Sequence, residues 1–239
     1  MKIIHISDIH LTENGTDIWG VNTLDKFCKA IKKIKELDGI DAIVISGDLS
    51  NDGSRWTYEF IDQRFKEVGI PTFCCPGNHD NLEMFYHGYK PSFVKNCDEF
   101  ELCGWNFIMV NSAVEGMSRG YFNPQLLSKQ IFNCSGPVTI ILHHPPLEQE
   151  GWLNRKLLEN HNEFNDIIYH AGNVKLVLYG HTHYHTIKTI SGVVYSSAPS
   201  IGFAFNPNLH KFEIAYGEEG FNIIHMNGDT ISITKENLF

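Results

Sequence analysis

Short apolar runs alternate with stretches of helical period along most of the chain. The runs near 2–7, 40–46, 71–75, 106–111, 137–142 and 174–179 predict strands. Between the first two, Leu24, Phe27, Ile31, Ile34 and Leu37 recur every three or four residues, which predicts a helix with one apolar face and Gly39 as its C′ stop. Ile61, Phe65 and Val68 repeat the pattern before Gly69, and Phe164, Ile167, Ile168 and Ala171 repeat it before Gly172. Connections of this length bring successive strands back parallel, so the fold class is α/β.

The pattern changes from Thr186 onward. Gly192-Val193-Val194-Tyr195, Lys211-Phe212-Glu213-Ile214 and Phe221-Asn222-Ile223-Ile224 alternate with turn residues, and Asn227-Gly228 predicts a hairpin, so a mixed or antiparallel sheet is expected at the C-terminus. The stretch 145–160 carries no period and reads as an open loop on the substrate side. No repeat, low-complexity segment or linker divides the chain. With 239 residues, 42% of them apolar, a single domain over 1–239 can bury a full core.

Charge narrows the partners. A formal net charge of -9 and only four arginines (Arg55, Arg64, Arg119, Arg155) disfavour an extended nucleic-acid surface or an anionic membrane. A bound phosphate is therefore expected to be gripped by metal ions rather than by a guanidinium cluster. The six cysteines show no CxxC pair, as in a reduced, cytoplasmic chain. A strand begins at Lys2-Ile3-Ile4-His5-Ile6 and leaves no room for a signal peptide, and no apolar run is long enough for a membrane span.

Five segments place metal-ligand side chains just after predicted strands: Asp8-Ile9-His10, Gly47-Asp48, Gly77-Asn78-His79-Asp80, His143-His144 and Gly180-His181-Thr182-His183. Each alone is compatible with an ordinary turn. In order, they give three oxygen and four nitrogen donors in Asp8, His10, Asp48, Asn78, His143, His181 and His183, where α/β sheets bind ligands. Same-parity spacing at the strand ends turns Asp8 with His10, and His181 with His183, to one side. No thiolate joins the set, and a group of carboxylate, amide and imidazole donors suits Mn, Fe or Zn better than Ca or Mg.

The motif set resembles the calcineurin-like metallophosphoesterases over about Lys2 to Thr234, and within them the bacterial class III cyclic-nucleotide and glycerophosphodiester phosphodiesterases. The run His143-His144-Pro145-Pro146-Leu147 and the closing strands carry the narrower likeness. The resemblance implies a four-layer αββα sandwich of two mixed β-sheets flanked by helices. It also implies two divalent or trivalent metal ions. One would be held by Asp8, His10 and His183, the other by Asn78, His143 and His181, with Asp48 bridging. Asn78 and His79 would meet the substrate. A hydroxide shared by the two ions would attack phosphorus, and His79 would stabilise or protonate the leaving oxygen, oriented by Asp52. Phosphoprotein phosphatases carry a clamping arginine after the Gly-Asp motif; Leu49-Ser50-Asn51-Asp52-Gly53 lacks one, which favours a small phosphodiester such as a cyclic nucleotide. Two departures from the family are Asn111-Ser112 in place of Asp-Ser and a helix after Asn123-Pro124 that looks short.

A nucleotide or nucleotide-sugar pyrophosphatase, or a phosphomonoesterase, would use the same site. A DNA exonuclease ranks lower because it needs a basic surface, and a scaffold ranks lower because no ligand is missing. His144 reads as a support to the site and His185 as a possible pocket residue. His5 reads as a sheet-packing residue, and His87, His161, His170, His210 and His225 as surface or packing residues.

Overall fold

A computed structural model describes all residues except 150, 208–210 and 229. The assignment of His210 to surface or packing lies outside the described residues.

Among the described residues, eleven strands form two mixed sheets. In the first, β1 (Lys2–Ile6), β2 (Ala42–Ser46) and β3 (Thr72–Cys75) run parallel. The antiparallel pair β10 (Gly220–Asn227) and β11 (Thr230–Asn237) then extends it beyond β1, with Ile4 opposite Ile223. The second sheet has the order β4 (Glu99–Leu102), β5 (Trp105–Val110), β6 (Val138–Leu142), β7 (Val174–Tyr179), β9 (Val193–Ser197), β8 (Thr186–Ile190). Strands β2 and β6, buried on both faces, read AIVIS and VTIIL, as expected of parallel strands covered on each side.

Helices α1 (Thr23–Lys35) and α2 (Arg55–Val68) cover the outer face of the first sheet, burying Phe27, Ile31, Ile61 and Phe65 against Ile4, Ile43 and Ile45. Helices α3 (Pro124–Asn133) and α4 (His161–Ala171) cover the second, through Leu127, Ile131, Phe164 and Ile168. Between the sheets lie Val44, Phe107, Ile141, Leu176 and Ile224. Four layers, αββα, result, and full burial of each large apolar side chain contributes about 1.5–3 kcal/mol.

Several expectations change in detail. Helix α1 stops at Lys35 with Glu36 as its cap, so Gly39 lies beyond the helix; Gly69, at φ 77°, does close α2. Helix α3 runs for ten residues and is capped by the Asn123 side chain on the Leu126 N–H. Lys211–Ile214 is not a strand, and only Ile214 bridges to Phe205. The late strands do not form one sheet: β8–β9 joins the second and β10–β11 the first. Within the 145–160 stretch, Gly151–Lys156 is a 3-10 helix, and Leu158 is fully buried, paired to Gly120.

Candidate metal centre

The five motif segments sit at the carboxyl ends of β1, β2 and β3 in one sheet and of β6 and β7 in the other. The backbone there is not extended. Asp8, His10, Asp48, His181 and His183 have φ of 55°, 51°, 53°, 66° and 58°, the left-handed region that costs a side-chain-bearing residue about 1–2 kcal/mol. Strand parity therefore does not explain why Asp8 meets His10, or His181 meets His183; paired left-handed turns do. The Asp8 and His10 N–H groups donate to the carbonyls of Gly47 and Asp48, at 3.1 and 3.0 Å, locking the first two segments together. Gly77 must be glycine because a Cβ there would collide with the Asp48 carboxylate.

All seven predicted donors converge. His10 Nε2 lies 3.2 Å from His183 Nε2, and His183 Nε2 lies 3.0 Å from Asp8 Oδ1. In the second group, His143 Nε2 is 3.1 Å from both Asn78 Oδ1 and His181 Nδ1. Asp48 Oδ2 stands between the groups, 3.4 Å from His10 Nε2 and 3.4 Å from His143 Nε2. Among these residues only Asn78 is more than slightly exposed.

The proton positions show what such a cluster can hold. His183 Nδ1 donates to the Phe203 carbonyl at 2.7 Å, His143 Nδ1 to the Ser46 carbonyl at 2.8 Å, and His10 Nδ1 to Asn51 Oδ1 at 3.3 Å. Each Nε2 is thereby left as a lone pair aimed inward, and lone pairs 3.2 Å apart repel unless a cation lies between them. Asp8 Oδ1 is buried without a hydrogen-bond partner. Burial works against charging His143, but the Asp48 carboxylate outweighs it and pushes the pKa up to about 9. His10 is raised by the same carboxylate against the same opposition. The cluster attracts positive charge, and carboxylate, amide and imidazole donors fit divalent metal ions.

A model of the calcineurin-like phosphoesterase family matches residues 1–185. The chain belongs to this family. A 3',5'-cyclic-nucleotide phosphodiesterase of Nostoc sp. is 31% identical, over 98% of this chain and 91% of the relative. The 3',5'-cyclic adenosine monophosphate phosphodiesterase CpdA of Haemophilus influenzae is 28% identical, over 96% of this chain and 86% of its own. The fold is similar to that of a dimetal phosphatase from Danio rerio, with a TM-score of 0.71 at 12% identity, covering 100% of this chain and 96% of that one. Calcineurin-like phosphoesterases use dinuclear metal centres.

In this phosphoesterase His79 is the exposed histidine of the motif set. Its main-chain N–H donates to Asp48 Oδ1 at 2.8 Å, and its ring stands edge-on to His10 at 4.8 Å. Lost hydration at its packed edge pulls the ring's pKa down; Asp48 opposes this, and the neighbouring imidazoles add to it. Asp52 does not orient it. Its two oxygens are taken by the Glu13 and Ser54 N–H groups and the Ser50 hydroxyl.

Asp80 is the residue that sequence reasoning left without a role. It is buried and accepts from the N–H groups of Leu49, Ser50 and Gly77 and from the Tyr58 hydroxyl, tying the Asp48 loop to the Asn78 loop. Burial first, then the nearby Asp48, raises its pKa to about 6. The signal available in the sequence was its place beside Asn78 and His79. His144 is fully buried with its ring 4.9 Å from that of His181, so it joins the cluster more closely than a side chain facing away would. His185 is held by Asn222 at 2.8 Å, and His5, fully buried, contacts Ser46 at 2.8 Å.

Proposed function

We propose that this protein is a dinuclear-metal-dependent phosphodiesterase acting on a small phosphodiester, with a 3',5'-cyclic nucleotide as its substrate class. The observation that carries the reading is the double donor group with one carboxylate oxygen equidistant, at 3.4 Å, from an imidazole of each. Asp8, His10 and His183 would hold one ion; Asn78, His143 and His181 would hold the other; Asp48 would serve both. Mn, Fe or Zn fits these donors. When bound, such a pair supplies a nucleophile at neutral pH and neutralises charge on the phosphoryl oxygens.

The chain's own residues do the rest. The carbonyls of Ser46 and Phe203 and the Asn51 amide hold three imidazoles in the tautomer that leaves Nε2 free. Asn78, half-exposed, contacts the arriving phosphoester. His79, held by Asp48 through its main-chain N–H and open to solvent, donates a ring proton to the charge that develops on the leaving oxygen.

The names of the relatives support the diester reading, as does the lack of an arginine beside Asp48: Arg55 is exposed and paired with Glu59. We place the chain in the cytoplasm as one domain. All six cysteines are free, and β1 pairs with β10 and β2, so the N- and C-terminal strands build the sheet that carries the first three motif segments. No helix among the described residues is long and apolar enough to cross a membrane.

The test is turnover by the Mn-reconstituted protein of bis-p-nitrophenyl phosphate, p-nitrophenyl phosphate, cyclic AMP and cyclic GMP. Faster turnover of the monoester than of every diester overturns the assignment. Asp48→Asn should lose metal and activity together, whereas His79→Ala should keep its metal and lose about 10²–10⁴-fold in kcat. Undiminished turnover in the second removes His79 from its role.

A further inference from the structure

Two rows of aromatic rings lead from the donor cluster to the surface. Phe203 stacks on His10 with centroids 4.9 Å apart and an interplanar angle of 27°, and Phe205 stacks on His183 at 4.1 Å and 11°. Both phenylalanines are buried. Outward of them, Trp19 stands edge-on to Phe203 at 5.0 Å, and Trp152 stands edge-on to Phe205 at 5.2 Å. Trp19 is 58% exposed. Each row begins on an imidazole of the first donor group and reaches a tryptophan, and the exposed Phe212 stands edge-on to both, 4.5 Å from Trp19 and 6.0 Å from Trp152.

The backbone under Trp19 is unusual. Ile18 and Val21 bridge antiparallel across a two-residue turn in which Trp19 has φ 48° and Gly20 has φ 78°. Left-handed φ at both central positions is a type I′ turn, whose first central residue is ordinarily Asn, Asp or Gly. A bulky aromatic is a poor occupant there; the ring packs edge-on to Phe203 and Phe212, yet the residue stays 58% exposed and leaves aromatic surface open to a ligand. The indole is better explained by what it can meet than by the turn it occupies. Lys156, on the same rim, carries its Nζ 5.5 Å from the Trp152 ring and makes no ion pair among the described residues.

We infer that Trp19 and Trp152, backed by Phe203 and Phe205, form a subsite that stacks the nucleobase of a nucleotide substrate whose phosphate lies at the donor cluster. The inference rests on the phosphodiester reading above and deepens it. A nucleobase is the fitting occupant because the rings are continuous with the imidazoles that would face the phosphate, so one small molecule spans both. A net charge of -9 argues against an anionic lipid surface. Stacking on tryptophan uses the π-face common to all bases, so adenine and guanine are both accepted, and Lys156 adds a cation where the anionic ligand enters.

The experiment compares kcat and KM for cyclic AMP and for glycerophosphoethanolamine, a diester without a ring, in the Mn-loaded wild type, Trp19→Gly and Trp19→Phe. Glycine suits the turn, so removing the ring does not break the fold. The expected result is a KM for cyclic AMP raised about tenfold in Trp19→Gly, within the range for loss of one base–aromatic stack, with most of it recovered in Trp19→Phe. Selectivity for cyclic AMP over glycerophosphoethanolamine should fall by the same factor. Equal change for both substrates, or none, overturns the subsite.

A second readout needs no turnover. Tryptophan fluorescence of the metal-free protein should be quenched by AMP and not by ribose 5-phosphate, and less so by AMP in Trp19→Phe. Quenching by AMP that is undiminished in Trp19→Phe removes Trp19 from the subsite. If no diester is hydrolysed, the phosphodiesterase reading fails, while the fluorescence still decides whether the rings bind a base.

Discussion

At the scale of single residues, His144 shows how much a proton's position decides. The Ser112 hydroxyl accepts the His144 main-chain N–H at 3.2 Å and lies 2.9 Å from Nδ1. When the hydroxyl donates to Nδ1, the imidazole proton lies on Nε2; when it accepts from Nδ1 with its second lone pair, Nε2 is left as a free donor for a metal. That Nε2 is buried without a partner, and so is His181 Nε2. In the first tautomer His144 packs against the His181 ring, 4.9 Å away, without ligating; in the second it joins His143 and His181 as a donor. In the first case, His144→Leu is expected to weaken the affinity for one of two Mn ions by about 10- to 100-fold without changing the stoichiometry, read by calorimetric titration. A drop to one ion per chain would make His144 a ligand. The convergence of these seven residues, Asp8, His10, Asp48, Asn78, His143, His181 and His183, was legible because rare residue types recur after strands. The left-handed φ of Asp8 and His183 was not, since no local pattern announces it, and parity gave the right grouping for the wrong reason. Asp52 was assigned to His79 by proximity in sequence, yet its oxygens serve the Glu13 and Ser54 N–H groups.

At the scale of elements, helix α2 is joined to the segment that leads into β4 through one carboxylate. Asp62, 4% exposed, accepts from the N–H groups of Ser92, Phe93 and Val94 and from the Ser92 hydroxyl. Burial opposes its charge, but these donors outweigh it and hold the carboxyl below the usual aspartate range. A pKa lower in the folded than in the unfolded chain stabilises the fold above the unfolded value, near 3.9, and this contribution disappears as pH falls through the folded value. Asp62→Asn should lower stability by about 1–3 kcal/mol at pH 7, and the gap from wild type should narrow below about pH 4, followed by thermal melting across that range. A gap independent of pH would mean that the amide's geometry, not the charge, matters. Period and glycine stops predicted α2 and α4 well. Strand β4 escaped notice because its residues Glu99 and Glu101 are exposed edge positions without an apolar run, and Lys211–Ile214 misled because alternation alone cannot supply a pairing partner.

At the scale of the whole molecule, the donor cluster spans two sheets. Asp8, His10, Asp48 and Asn78 follow strands of the first, whereas His143, His181 and His183 follow strands of the second. Cations held there bind only the folded arrangement, so Mn at a hundred times its dissociation constant should add about 2.7 kcal/mol of stability. Thermal scans with Mn and with a chelator measure this, and identical midpoints would show that the sheets gain nothing from the cluster. The αββα layering was readable from βα alternation and the motif set. The division of the late hairpins between two sheets was not, because it depends on which edge, β1 or β7, is left open by the earlier strands.

The five left-handed donors also bear on how this protein can be engineered. Glycine is the natural tenant of every one of those backbone positions, and each Asp or His there is kept against the local preference of the peptide chain. Selection for heat resistance alone would erode the reactive centre first, yielding a hardier and inert globule; improved variants must gain their robustness from parts of the chain remote from the strand tips.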